Sequence, residues 1–164
     1  MKTITRTELL SLLSYDPSSG VFRWRQSGKG RRVDLIAGSI SKSDGYVYIC
    51  IKYRKFSCAR LAWLYVYGKM PDEEMDHINR IRSDNRLSNI RSCTRHQNAM
   101  NQKRRTDNST GHSGVYNDIR GGWRVWVHVE GKPRWIGRFP SFDDAVKARR
   151  EAEKRHYGRF TPER

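Results

Sequence analysis

The chain has 164 residues, with 33 Lys and Arg against 17 Asp and Glu and a formal net charge of +16. Such a balance points to polyanionic partners and says little about fold. No apolar run approaches the ~20 residues that span a bilayer, no apolar signal-peptide core opens the chain, and 11% aromatic residues speak against disorder.

Length allows one domain or a few very small modules. Three cysteines occur, Cys50, Cys58 and Cys93, without a Cys-x-x-Cys pair. That argues against structural zinc and a disulfide framework, suits a cytoplasmic setting, and leaves Cys58 and Cys93 as small buried hydrophobes. Charge is uneven: +9 over residues 1–70, +2 over 71–112 and +5 over 113–164. Acid collects in the middle third, most densely at Asp72, Glu73, Glu74 and Asp76.

In chain order, residues 5–14 predict a short helix capped at Thr5 or Thr7, with Leu9, Leu10, Leu12 and Leu13 as its apolar stripe. Residues 15–20 compose a turn, 21–25 alternate as a strand, and the Gly- and Lys/Arg-rich 26–32 make a basic loop whose Arg31 and Arg32 are expected to touch DNA. Residues 46–51 and 53–58 predict two strands, and 59–67 a helix ended by Gly68. Short strands at 74–78 and 90–93 flank a long polar loop, and Thr94-x-x-Gln97 starts a helix to about 101. The middle therefore reads strand, loop, strand, helix.

Residues 103–112 carry no core residue and predict a linker, assigned to 105–112. Strands follow at 114–117, 123–129 and 134–139, then an amphipathic helix from 143 to about 157, capped by Ser141. Along 123–129, Val125, Val127 and Val129 alternate with Arg124, Trp126 and His128. Period two puts the valines under the final helix and leaves cations and an aromatic on the other face, where a duplex groove can be read.

The chemistry concentrates in Asp76-His77, Asp84-Asn85-Arg86, Asn89 and Arg95-His96-Gln97-Asn98. A carboxylate and an amide oxygen suit a Mg²⁺-like ion, and an imidazole with a pKa near ~6.5 can take a proton from water. Hard-metal ligands beside a base, on a basic scaffold, are what phosphodiester hydrolysis needs.

Residues 59–101, with Asp76-His77-Ile78-Asn79, the run Asp84-Asn85-Arg86-Leu87-Ser88-Asn89-Ile90-Arg91 and Gln97-Asn98, resemble the HNH endonuclease family, in particular its homing and phage-encoded branch. The resemblance implies a ββα-metal core with His77 as general base and with Asp76 and Asn98 ligating one divalent ion, Mg²⁺ or Mn²⁺. It also implies Asn89 as the middle asparagine that ties the loop and orients the imidazole, and Arg95 as a phosphate contact. Ala59 stands where related sequences tend to carry a histidine; Asn85 and His96 read as structural or DNA-facing.

Gly114-Val115-Tyr116, Gly122-Trp123-Arg124, 135–139 and the Ala-rich helix resemble the plant ethylene-response-factor (APETALA-type) DNA-binding domain. That resemblance implies DNA contacts among Arg120, Arg124, Trp126, His128, Arg134, Trp135 and Arg138.

The expected fold is α+β: a β-rich DNA-binding module over 1–58, an HNH core over 59–104 and a three-stranded sheet packed on one helix over 113–160. The expected function is metal-dependent hydrolysis of double-stranded DNA by a monomer without a small-molecule cofactor, nicking one strand per site, in the host cytoplasm if phage-encoded. Its rivals are a DNA-binding regulator with an inactive nuclease core and an RNA-binding module. The second lacks the usual RNA-recognition signature.

Overall fold

The computed structural model describes residues 4–29, 31–101 and 108–161, which fall into two compact units, Met1–Thr94 and Arg95–Arg164. Both mix helices with small antiparallel sheets.

The first unit opens with α1 (Arg6–Leu12), capped by the Thr5 hydroxyl, which accepts from the Glu8 amide at 3.2 Å. The helix stops earlier than its leucine stripe predicts. Leu13 leaves it to begin β1 (Leu13–Asp16), paired with β2 (Val21–Trp24) in the register Leu13↔Trp24 to Asp16↔Val21. Tyr15, expected in a turn, is buried on β1 with its ring 4.6 Å from Phe22, so the turn is confined to residues 17–20. Burying an aromatic pair outweighs local turn composition.

β3 (Ser39–Ile40), which composition did not suggest, β4 (Val47–Ile51) and β5 (Arg54–Ser57) form a second sheet in that order. Lys52 and Tyr53 make its tight β4–β5 turn at φ 47° and 63°. α2 (Cys58–Tyr67) ends where Gly68 adopts φ 80° and its amide bonds the Leu64 carbonyl at 3.0 Å. β6 (Glu74–His77) and β7 (Ile90–Cys93) pair from Glu74↔Cys93 to His77↔Ile90.

One core serves this whole unit. Leu9, Leu13, Phe22, Ile49, Ile51, Leu61, Ala62, Leu64 and Ile90 pack in a single buried cluster. The expected break after residue 58 therefore falls inside one core, since α2 buries against β4 and β5. Burial also pushes the Cys58 and Cys93 thiols up to about 12, which keeps them protonated.

The second unit begins with α3 (Arg95–Met100). β8 (Val115–Asn117), β9 (Trp123–Val129) and β10 (Lys132–Phe139) form a sheet with β9 central, followed by α4 (Phe142–Tyr157). Of the expected linker, residues 105–107 lie outside the described residues. Its end is a bonded turn: Thr110 Oγ1 donates to the carbonyls of Val115 at 2.9 Å and His112 at 3.0 Å. Ser141 caps α4 by accepting from the Asp144 amide at 3.1 Å, and Lys154, Arg155 and His156 lie where the dipole favours cations.

Val115, Val125, Val127 and Ala145 are fully buried. Arg149 is buried too, which apolar patterning does not reveal. Its guanidinium lies 2.9 Å from Glu153 one turn on, donates to the Trp126 carbonyl, and reaches the Tyr157 hydroxyl at 3.4 Å. Gly114 makes room for it at φ 74°: a Cβ there would meet the Trp126 carbonyl oxygen at 2.3 Å and Arg149 Nη1 at 2.8 Å.

Arg149→Ala should cost about 3–5 kcal/mol, because it strands the Glu153 carboxylate in the core. The double replacement Arg149→Met with Glu153→Leu should cost much less. Urea unfolding followed by Trp fluorescence measures both, and equal losses would show that the buried carboxylate is not the cause.

Candidate active site

His77 ends β6 and is only 4% exposed, and the loop 78–89 that follows is built from side-chain amides and turns. The Arg80 amide bonds the His77 carbonyl at 2.9 Å, with Arg80 itself at φ 62°. Asn89 closes the loop across its base. Its Oδ1 accepts from the Asn79 amide at 3.0 Å, its Nδ2 donates to the Asp84 carbonyl at 2.7 Å, and its own carbonyl accepts from the Ile78 amide at 2.9 Å. Asp84 ties the middle: its carboxylate takes Asn79 Nδ2 at 2.8 Å and the Arg86 guanidinium at 2.9 and 2.6 Å.

The imidazole meets Asn85, whose Oδ1 lies 3.2 Å from His77 Nε2, and the Tyr46 ring, with centroids 5.7 Å apart. Asn85 is 3% exposed. Burial lowers the His77 pKa below its ordinary 6.5, partly opposed by the bond to Asn85 and the charge of Asp76. The neutral ring is thereby favoured at neutral pH, as a general base requires.

Asp76, also buried, faces Arg91 directly across the β6–β7 ladder. Arg91 Nε and Nη2 both donate to Asp76 Oδ2, at 2.8 and 2.6 Å. Arginine on one carboxylate oxygen sets its plane, as outer contacts do for carboxylates that bind metals. Among the described residues no group of three or more His, Cys, Asp or Glu is placed to hold a metal ion.

Asp76, His77 and Asn89 thus share one region of the first unit, with Asn85, Asp84 and Arg91 built around them. Arg95, exposed, and Asn98, half-buried, lie three residues apart on α3 of the second unit. Sequence reading passed over Asn85 as the partner of the imidazole and Arg91 as that of Asp76. The second had a signal in the pairing of 74–77 with 90–93; the first depends on the path of a polar loop.

Among the basic residues proposed to touch nucleic acid, Arg31 stacks over Trp24 at 4.7 Å and Arg32 is exposed. In the second unit, the ladder sets Arg124 opposite both Tyr116 and Arg138, and Trp126 opposite Trp135. With Val125 and Val127 inward, this is the face away from α4, and His128 shares it. The two tryptophans meet edge to face at 5.0 Å, Trp135 being 49% exposed. Arg138 donates to the Gly121 carbonyl at 2.7 Å, and it and Arg124 lie 3.6 and 3.7 Å from Asp118. Arg120 is exposed in that turn. Arg134 pairs with Val127, which puts it on the helix side rather than with the others.

Arg86 and the Asn79 amide hold Asp84 at a pKa of about 2, below the ordinary 3.8. The unfolded chain therefore binds this proton first on acidification. The stability Asp84 contributes is complete above ~pH 4 and lost as pH falls toward 2. Asp84→Asn should flatten the fall in Tm over that interval; an unchanged slope would remove Asp84 from acid unfolding.

Residues 59–100 match the family model described as HNH endonuclease. No curated protein and no solved structure matches the chain. The matched stretch runs from α2 to the end of α3 and includes Asp76, His77, Asn85 and Asn89 of the first unit and Asn98 of the second.

Proposed function

We propose that this protein is a divalent-metal-dependent DNA endonuclease in which His77 takes the proton from the attacking water. The carrying observation is a buried imidazole, held by a side-chain amide and adjacent to a fixed carboxylate, within the stretch that matches the HNH family.

Water attacks phosphorus as His77 accepts its proton, and the bond to the 3′ oxygen breaks; that oxygen takes a proton from solvent, giving a 3′ hydroxyl and a 5′ phosphate. The donor set, one carboxylate oriented by Arg91 and one amide oxygen, fits a hard divalent ion such as Mg²⁺. Asp76 and Asn98 would hold it, and when bound it supplies charge stabilisation to the phosphate and the leaving oxygen. Asn89 keeps the loop closed behind the ring, and Arg95 binds phosphate. A single base at a single site cuts one strand per binding event.

The sheet face of the second unit, with Arg124, Trp126, His128 and Trp135, is read as the surface that directs the protein along duplex DNA. Homing and a phage origin belong to the same reading. The second reading is a DNA-binding regulator without cleavage, favoured by the close pairing of Asp76 with Arg91, which already neutralises the carboxylate.

Conversion of supercoiled plasmid to open circle decides between them. His77→Ala should slow nicking about 10²- to 10⁴-fold while DNA affinity is kept. Asp76→Ala, Asn98→Ala and EDTA should each abolish cleavage. A wild type that binds duplex but never nicks it with Mg²⁺ or Mn²⁺ establishes the regulator instead.

Trp126→Ala with Arg124→Ala should leave the catalytic residues untouched, yet reduce duplex affinity and scatter the cleavage sites, because base contacts specify. Unaltered cleavage positions on a long duplex would exclude this face as the reader.

A further inference from the structure

We propose that Asn85 is a positioning residue that selects the tautomer of His77, placing the proton on Nε2 and the basic lone pair on Nδ1. The inference rests on the nuclease reading above for its consequence in catalysis, but its physical content is a property of the folded protein alone.

A neutral imidazole carries one N–H and one lone pair, and the partner of one nitrogen decides which is which. The partner here is an amide, whose oxygen only accepts and whose nitrogen only donates. Asn85 Nδ2 lies 3.2 Å from the Ser83 carbonyl oxygen. That oxygen has no proton to give, so the amide must turn its nitrogen toward Ser83 and its oxygen toward the ring. The flipped amide would oppose two acceptors at Ser83 with no hydrogen between them. With Oδ1 facing His77 Nε2 at 3.2 Å, the ring nitrogen at that end must be the donor. Ser83 thus orients Asn85, and Asn85 orients the proton.

The frame behind Asn85 comes from the β1–β2 hairpin, far away in sequence. The Tyr15 hydroxyl, on a buried side chain, donates to the Asn85 carbonyl at 2.7 Å. The Leu87 amide bonds the Pro17 carbonyl at 3.0 Å. Gly20, at φ 74°, lies so close that a Cβ there would be 2.3 Å from the Arg86 nitrogen and 2.4 Å from the Asn85 carbonyl carbon. Both are backbone atoms, which cannot swing aside as a side chain does. The hairpin turn is therefore the mould against which the Asn85 backbone is set, and the N-terminal segment is part of the site's geometry.

Asn85 is buried, so its loss should act on turnover rather than on binding. In Asn85→Leu, a near-isosteric side chain without an acceptor, kcat for plasmid nicking should fall about 10- to 100-fold, the loss typical of partners that orient a functional imidazole. KM for DNA should hold.

Nitrogen-15 NMR of the histidine rings, at a pH where His77 is neutral, gives the readout that a merely structural role would not move. Wild type should show a pyrrole-like Nε2 and a pyridine-like Nδ1, and Asn85→Leu a mixture of tautomers. Gly20→Ala should shift the same resonances by displacing the Asn85 backbone. A wild-type ring protonated on Nδ1 overturns the proposal, and so does an Asn85→Leu protein with wild-type tautomer and kcat. If Asn85→Leu does not fold, Asn85→Ala, equally without an acceptor, takes its place: wild-type tautomer and kcat there overturn the assignment. A wild type that nicks no DNA refutes the nuclease reading, while the NMR still decides whether Asn85 sets the tautomer.

Discussion

A polar loop of a dozen residues hung between two four-residue strands has little apolar surface with which to hold its shape. Asn89 supplies the constraint that the rest of the site depends on. Its single side chain closes the loop from both ends, accepting from Asn79 and donating to Asp84, while its backbone stays within the turn that starts β7. Each of these groups, buried and unpaired, would cost about 1–3 kcal/mol. With Asn89 in place, Asp84 can gather Asn79 and Arg86, the chain can reverse at Arg80, and Asn85 arrives beside the imidazole. The setting of the His77 ring is thus the far end of a chain of amide contacts that begins at Asn89.

The second unit solves a related problem with charge. Its sheet is three strands wide and its helix is strongly polar, so the buried valines and alanines alone leave a small core. The Arg149–Glu153 pair extends that core across the α4–β9 boundary and joins it to a strand carbonyl and a tyrosine hydroxyl. Such a pair gives little net stability over an apolar equivalent, yet it is unforgiving of any shift that separates its members. Gly114 completes the fit, since only a residue without a side chain lets β8 approach the guanidinium.

Much of this was legible in the chain. The strand at Trp123–Val129 falls where its alternation put it, because one of its faces lies on a core, and Ile90–Cys93 keeps the bounds expected for it. Gly68 ends α2 and Ser141 caps α4 for local backbone reasons that composition carries directly. The misplacements share a cause. Leu13 continues the leucine stripe of α1, yet pairing with Trp24 draws it into a strand; Ser39–Ile40 is too short for a period to show; the division at residue 58 ignored a core that β4, β5 and α2 hold in common. In the site, residue types and spacing pointed to Asp76, His77 and Asn89. The partners Asn85, Ser83 and Tyr15 stayed hidden, because a hairpin seventy residues upstream decides where the polar loop runs.

The charge distribution follows from the same economy of partners. Asp76 faces Arg91, Asp84 faces Arg86, and Asp118 lies between Arg124 and Arg138, so each carboxylate near a proposed contact surface has an arginine of its own unit beside it. Arg91 is 12% exposed at its side chain and acts on Asp76 rather than on solvent. Most of the +16 excess is therefore carried by cations outside these groups, among them the exposed Arg32, Lys42 and Arg120. Contacts of that kind release counterions from a polyanion whatever its sequence, and their strength declines with added salt. Of the paired arginines only Arg91 acts inward, fixing the Asp76 carboxylate across the strand ladder, whereas Arg86, Arg124 and Arg138 stay nearly half exposed beside their carboxylates.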